Sequence, residues 1–172
     1  MLAERIVRAW EAWRHESEPG STLPQEHRAD ATVGAPAPGE TDLTTLLRDM
    51  RPELDERRYA FVSVSPATVE ARKPVYLGRF HEAEGVTLIL EPGEAERLGA
   101  PTKVHWARIT LAVHSSLSAV GFMARLGAAL AAAGISANPV AGYYHDHLFV
   151  PWQERQRALA VLQGLAAAAS AD

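Results

Sequence analysis

Apolar positions along this chain switch repeatedly between a helical period and short strand-like runs, and the switches predict its elements. Leu2, Ile6, Trp10 and Trp13 fall at helical spacing, predicting a short amphipathic helix over residues 1–16. From Ser17 to Glu40 the period disappears into Pro, Gly, Glu, Ala and Thr, with Gly34-Ala35-Pro36-Ala37-Pro38-Gly39 as its densest part. So few apolar side chains cannot offset the entropy of ordering, and residues 1–40 are expected to be a helix plus a flexible leader outside the fold. The folded part is expected to begin at Thr41 or Asp42, either of which caps a helix carrying Leu43, Leu46, Leu47, Met50 and Leu54 on one side. Pro52 bends or ends that helix.

Tyr59 to Val64, rich in aromatic and β-branched residues, predicts a strand, and Val75–Glu82 with Val86–Glu91 predicts a hairpin turning at Ala83-Glu84-Gly85. A short helix over Gly93–Leu98 follows Pro92. Lys103–Val113 is expected as a long strand, His114–Ser118 as a turn, and Ala119–Ala133 as a helix that Gly134 stops. Ile135–Tyr144 and Leu148–Pro151 predict a second hairpin, closed near His145-Asp146-His147, and Glu154–Leu165 a last helix with a frayed tail behind it.

The two hairpins echo each other. Gly78-Arg79-Phe80-His81-Glu82 precedes an apolar strand and Pro92, and Gly142-Tyr143-Tyr144-His145-Asp146 precedes an apolar strand and Pro151. Each half then reads βαββα, residues 41–102 and 103–168, although the stretch near Ala67–Arg72 is a poor helix.

Composition narrows the function classes. The chain has 172 residues, 47% hydrophobic and 22% charged, enough for one ordinary core or two small ones. A net charge of -4 provides no field to attract nucleic acid or anionic lipid, so neither is an expected partner. No cysteine is present, which excludes disulfides, thiol nucleophiles and thiolate metal sites. Charges at the start of the chain and the lack of a long apolar window leave the cytoplasm as the expected address. No nucleotide-loop, zincin or nucleophile-elbow motif occurs, and no cofactor is expected.

In Trp106-Ala107-Arg108-Ile109-Thr110-Leu111, Ser116 to Gly121 and Leu130 to Ser136 the chain resembles an ACT domain. The run Ala141-Gly142-Tyr143-Tyr144-His145-Asp146-His147-Leu148-Phe149-Val150-Pro151 resembles a signature of small bacterial proteins built of two ACT-like halves, and the paired modules of arginine sensors and aspartate kinase regulatory regions are similar at greater distance. The resemblance implies an α+β, ferredoxin-like βαββαβ fold for each half, and an amino-acid ligand bound where two units meet. It also implies a homo-oligomer and a regulatory, non-catalytic role. One departure stands out: no apolar strand follows Leu165, so the second unit must borrow its fourth strand, either from Lys103–Val113 or from Tyr59–Val64. That makes the halves interlocked through a shared strand. Pro139 suits an edge strand, because it has no N–H for a second ladder.

An amino acid needs N–H donors for its carboxylate, an acceptor for its ammonium and a shaped wall. The turn His114-Ser115-Ser116-Leu117-Ser118-Ala119-Val120-Gly121 opens a helix, whose first N–H groups and dipole favour an anion. Ile135, Ser136 and Tyr144, on the following strand, are expected to offer carbonyls for the ammonium, with Asp146 as its counter-charge. For each serine alone, plain helix capping explains its presence as well. A competing reading is a metal-dependent hydrolase or lyase in which His145 and His147 share a strand face and His81, His105 or His114 completes the ligand set. A third is a ligand-free scaffold that associates through sheet edges.

Overall fold

A computed structural model describes residues 38–171. The expected helix at residues 1–16 and most of the leader lie outside the described residues.

Helix α1 spans Leu43–Asp49, with Asp42 as its cap: the carboxylate accepts from the Thr45 N–H at 2.8 Å. It ends before Pro52, where an extended Met50 turns the chain into strand β1, Pro52–Val64. Leu54 therefore belongs to a strand that starts seven residues earlier than its β-branched stretch announced, with proline tolerated as its first residue. Ser65 caps α2 (Pro66–Arg72), a genuine if short helix with proline in its first turn. Strands β2 (Gly78–Glu82) and β3 (Gly85–Leu90) form the first hairpin, and α3 (Pro92–Arg97) follows. The second half comprises β4 (Trp106–Leu111), α4 (Phe122–Ala132), β5 (Asn138–Ala141), β6 (Asp146–Pro151) and, after one 3₁₀ turn, α5 (Arg155–Ala169). The alanine-rich tail expected to fray continues α5 to Ala169, as its high helix propensity permits.

The strands form one antiparallel sheet in the order β2-β3-β1-β4-β6-β5. The first half reads β4-β1-β3-β2 from the middle outward, the ferredoxin-like order with β4 in fourth place. The second reads β1-β4-β6-β5, with β1 in fourth place. Each unit thus completes itself with the other's first strand, and the missing strand after Leu165 is β1. Pro139 lies on β5, at the sheet edge.

Alternation along the strands separates two faces. Ala107, Ile109, Leu111, Leu148 and Val150 pack with Leu46 and Leu47 of α1, Leu126 and Leu130 of α4 and Leu162 of α5. Ala60, Val62, Val86, Leu88 and Leu90 pack with Val69 of α2 and Ala95 of α3. On the opposite face Tyr59, Ile89 and Phe149 form a third cluster, in which Phe149 meets Tyr59 and Phe61 edge-on at 5.6 and 5.1 Å.

The central β1–β4 pair is irregular. Four steps along β1, Leu54 to Arg58, are matched by two along β4, Ile109 to Ala107. Asp55 lies in this bulge, and its carboxylate accepts from the Tyr59 hydroxyl at 2.8 Å, from Arg57 at 2.9 Å and from Arg108. Burial pushes Asp55 up, but these bonds outweigh it and hold the carboxyl well below the usual carboxylate range. Burial and the bond to Asp55 push the Tyr59 hydroxyl up to about 12.

Candidate functional site

The expected strand Lys103–Val113 pairs only from Trp106 to Leu111, and the helix expected from Ala119 starts at Phe122. The loop between β4 and α4 therefore covers residues 112–121, longer than the turn at His114–Ser118. Part of its fold is local: the Ser115 N–H donates to the Val113 carbonyl at 3.0 Å, and the Ala119 N–H to that of Ser116 at 2.9 Å. The Ser116 hydroxyl accepts from the Ser118 N–H at 3.2 Å and lies 2.8 Å from the Ser118 hydroxyl. These two serines shape the turn, as their capping chemistry allows. The helix itself begins on Gly121, with φ +91° and no side-chain cap. A side chain at that backbone angle is strained, and a Cβ would also touch Leu43 at 3.4 Å.

The β5–β6 turn comes to the same end of the sheet. Gly142 donates its N–H to the His145 carbonyl at 3.0 Å, an approach so close that a Cβ on Gly142 would lie 2.7 Å from that oxygen. This turn delivers Asp146 to the loop. The carboxylate is 8% exposed and accepts from the Ser115 hydroxyl, itself in a residue 6% exposed, at 2.8 Å. One residue earlier, His145 Nδ1 donates to the Val113 carbonyl at 3.1 Å. Two side-chain bonds therefore tie turn to loop. Around them stand the rings of His114, Tyr143 and Tyr144, with centroids 5.1 Å apart for His114 and Tyr144 and 5.0 Å for the tyrosine pair. Leu117 and Val120 are exposed on the loop.

Of the residues singled out in the sequence, His114, Ser115, Ser116, Leu117, Val120, Gly121, Tyr144 and Asp146 thus gather at one end of the sheet. Ile135 and Ser136 do not join them. They follow the carboxyl end of α4, about 16 Å along an 11-residue helix from Gly121. Ile135 is buried in the core and Ser136 is exposed there. Because β5 begins only at Asn138, the strand expected to supply carbonyls reaches this end of the sheet through Ala141 alone. Asp146, expected to face a ligand ammonium, spends one carboxylate oxygen on Ser115.

Among the described residues the histidines do not assemble into a ligand set. His145 Nδ1 is bound to Val113, His147 Nδ1 sits 3.0 Å from the Thr110 hydroxyl, and among the described residues no three histidine or acidic side chains converge. Neither His81, His105 nor His114 completes the pair. Burial holds His147 below the usual imidazole range, Arg108 and His145 add to the effect, and Asp146 opposes it. Residues that the sequence reading passed over also belong to this end: Val113 offers its carbonyl to His145, Leu43 lies against Gly121, and Glu40 bonds to the loop backbone. Val113 and Leu43 read as ordinary core positions, and Glu40 stood in the stretch of leader composition.

Two models of one domain type match the chain in tandem, over residues 38–107 and 104–164, and both describe an ACT domain. This chain belongs to the ACT-domain family. The two matches overlap at residues 104–107, where β4 begins. Among solved structures, a Vibrio cholerae protein of unknown function, described as a possible transport protein, is 41% identical over 72% of this chain and 95% of its own, with a TM-score of 0.63. The ligand-free regulatory subunit of aspartate kinase from Thermus thermophilus is 10% identical over 68% of this chain and 97% of its own, TM-score 0.51, a likeness of fold. An Agrobacterium tumefaciens protein is 13% identical over 68% and 89%, TM-score 0.52. Among curated proteins there is no match. No helix among the described residues is long and apolar enough to cross a membrane.

Proposed function

We propose that this ACT protein is a non-catalytic regulator that binds a small molecule, an amino acid, in the β4–α4 loop and responds by changing partner or oligomer state. One observation carries the reading. Helix α4 opens on a left-handed Gly121 without a side-chain cap, so its first N–H groups and its dipole are available to a carboxylate. The loop that precedes it is braced by buried Ser115 and Asp146 and walled by His114 and Tyr144. Membership of the ACT family supports a regulatory, ligand-binding role. On this reading the protein works in the cytoplasm as a homo-oligomer. The β2 edge, without proline, supports association, whereas Pro139 blunts the β5 edge.

A thermal-shift screen against the protein amino acids tests the proposal. A ligand at about a hundred times its dissociation constant stabilises by roughly 2.7 kcal/mol, a readily visible shift. No shift with any of them would sink the reading. A shift only with zinc or manganese, abolished by His145→Ala, would replace it with a metal site.

A further inference from the structure

The last residues of the leader composition pack against the candidate site. The Glu40 N–H donates to the His114 carbonyl at 2.8 Å, and the Glu40 carbonyl accepts from the Ser116 N–H at 2.9 Å, a parallel bridge around Ser115. Gly39 lies so close to the same backbone that a Cβ would stand 2.5 Å from the Ser116 nitrogen and 2.7 Å from the Ser115 carbonyl carbon. Only glycine fits there, and the reason is contact. The Glu40 side chain then turns the other way: Oε1 accepts from the Thr41 and Asp42 N–H groups at 2.7 and 2.8 Å, at the start of α1. One residue thus grips the loop with its backbone and the entrance to α1 with its carboxylate.

We propose that Gly39 and Glu40 form a strap that positions the β4–α4 loop and couples it to the chain preceding residue 38. The loop is held by Asp146 and His145 on one hand and by this strap on the other. Binding that favours the held loop must favour the docked strap by the same factor, and whatever draws the preceding chain away must weaken binding equally. That reciprocity gives the regulator proposed above a route from ligand to partner. The ligand half of the inference rests on the loop-site reading above. The strap half does not.

Hydrogen exchange on the full chain separates the two. Without ligand, the Glu40 and Ser116 amides should be protected, and Gly39→Val should speed exchange across residues 114–118 by roughly tenfold or more while leaving Leu126 and Leu130 in α4 unchanged. Gly93→Ala, where nothing lies within 4 Å, is the control and should leave residues 114–118 unaltered. Unprotected Glu40 and Ser116 amides in the wild type would overturn the strap, and that measurement decides the matter even if Gly39→Val fails to fold. So would unchanged exchange at 114–118 in a folded Gly39→Val. Any amino acid that raises the wild-type melting temperature should also slow exchange at Glu40 and bind Gly39→Val roughly tenfold more weakly, whereas equal affinity would overturn the coupling. If no amino acid raises it, the proposed function falls and the strap stands or falls on the ligand-free exchange alone.

Discussion

Ser115→Ala isolates the bond on which the candidate site is built. The Ser115 hydroxyl donates to Asp146 Oδ2 at 2.8 Å, and both residues are more than nine-tenths buried. Removing the donor leaves a largely buried carboxylate short of a partner, and hydrogen bonds to charged groups contribute about 1.5–3 kcal/mol in such settings. The lost hydroxyl has little packing volume, so cavity terms are small. A destabilisation of roughly 2 kcal/mol is therefore expected, which for a chain of this length lowers the melting temperature by about 4–8 °C. Urea unfolding at neutral pH should show the same change in midpoint with the slope unaltered. The double variant Ser115→Ala, Asp146→Ala should cost less than the sum of the two single changes, because each alone removes the same bond. A loss below about 0.5 kcal/mol, or strict additivity in the cycle, would refute the claim that this bond joins loop and turn.

Other consequences are quicker to state. Gly142→Ala should destabilise by roughly 1–3 kcal/mol in thermal melts, since its Cβ meets the His145 carbonyl oxygen at 2.7 Å and backbone must move. Leu126→Ala, at a fully buried position where α4 meets the sheet, should cost about 2–5 kcal/mol by urea unfolding without altering the order of the sheet. Acidification should expose His147: its pKa is depressed in the fold, so the unfolded chain binds the proton first, and stability declines as pH falls from about 6.5 through the folded value. Melting temperatures of wild type and His147→Gln between pH 7.5 and 5 should converge or cross if this is right, and parallel curves would count against it.

The periodic parts of the fold were legible because they obey one force. Helices α1 and α4 and strands β3, β4 and β6 each present a regular apolar face to a helix–sheet core, and their spacing shows in the chain. The shared strand was legible in part: the second βαββα unit was expected to borrow a neighbour from Lys103–Val113 or Tyr59–Val64, and β1 is the strand beside β4. What escaped was irregular. The charged stretch Glu53 to Arg58 has no strand-like pattern, because the bulge turns Asp55 and Arg57 onto a polar network with Tyr59 and Arg108 that only the long-range pairing with β4 creates. Gly39 and Glu40 were masked by leader-like composition, for a glycine chosen for close approach looks the same in sequence as one chosen for freedom. Ile135 and Ser136 read as the start of a strand offering carbonyls to an ammonium, but β5 begins only at Asn138 and an eleven-residue helix separates them from Gly121.

On the proposed reading, comparison of the two halves explains why, among the described residues, the second strand–helix junction suits a ligand and the first does not. In the first half the junction between β1 and α2 is a single residue, Ser65, whose hydroxyl accepts from the Thr68 N–H at 3.1 Å and whose successor, Pro66, has no N–H to offer. The amino end of α2 is thus closed by its own cap. In the second half the corresponding junction has grown to ten residues, 112–121, and its helix starts on a glycine with no side-chain cap. Extra loop length costs little in closure entropy, but a long loop must be held if it is to present groups in fixed positions. Ser115, Asp146, His145 and Glu40 supply that hold, and none of these bonds has a counterpart at Ser65, where the chain is too short to need one. On the proposed reading the chain therefore carries one amino-acid site, and saturation of the screened ligand should occur at one equivalent per chain; two equivalents would place a second site where α2 now caps itself.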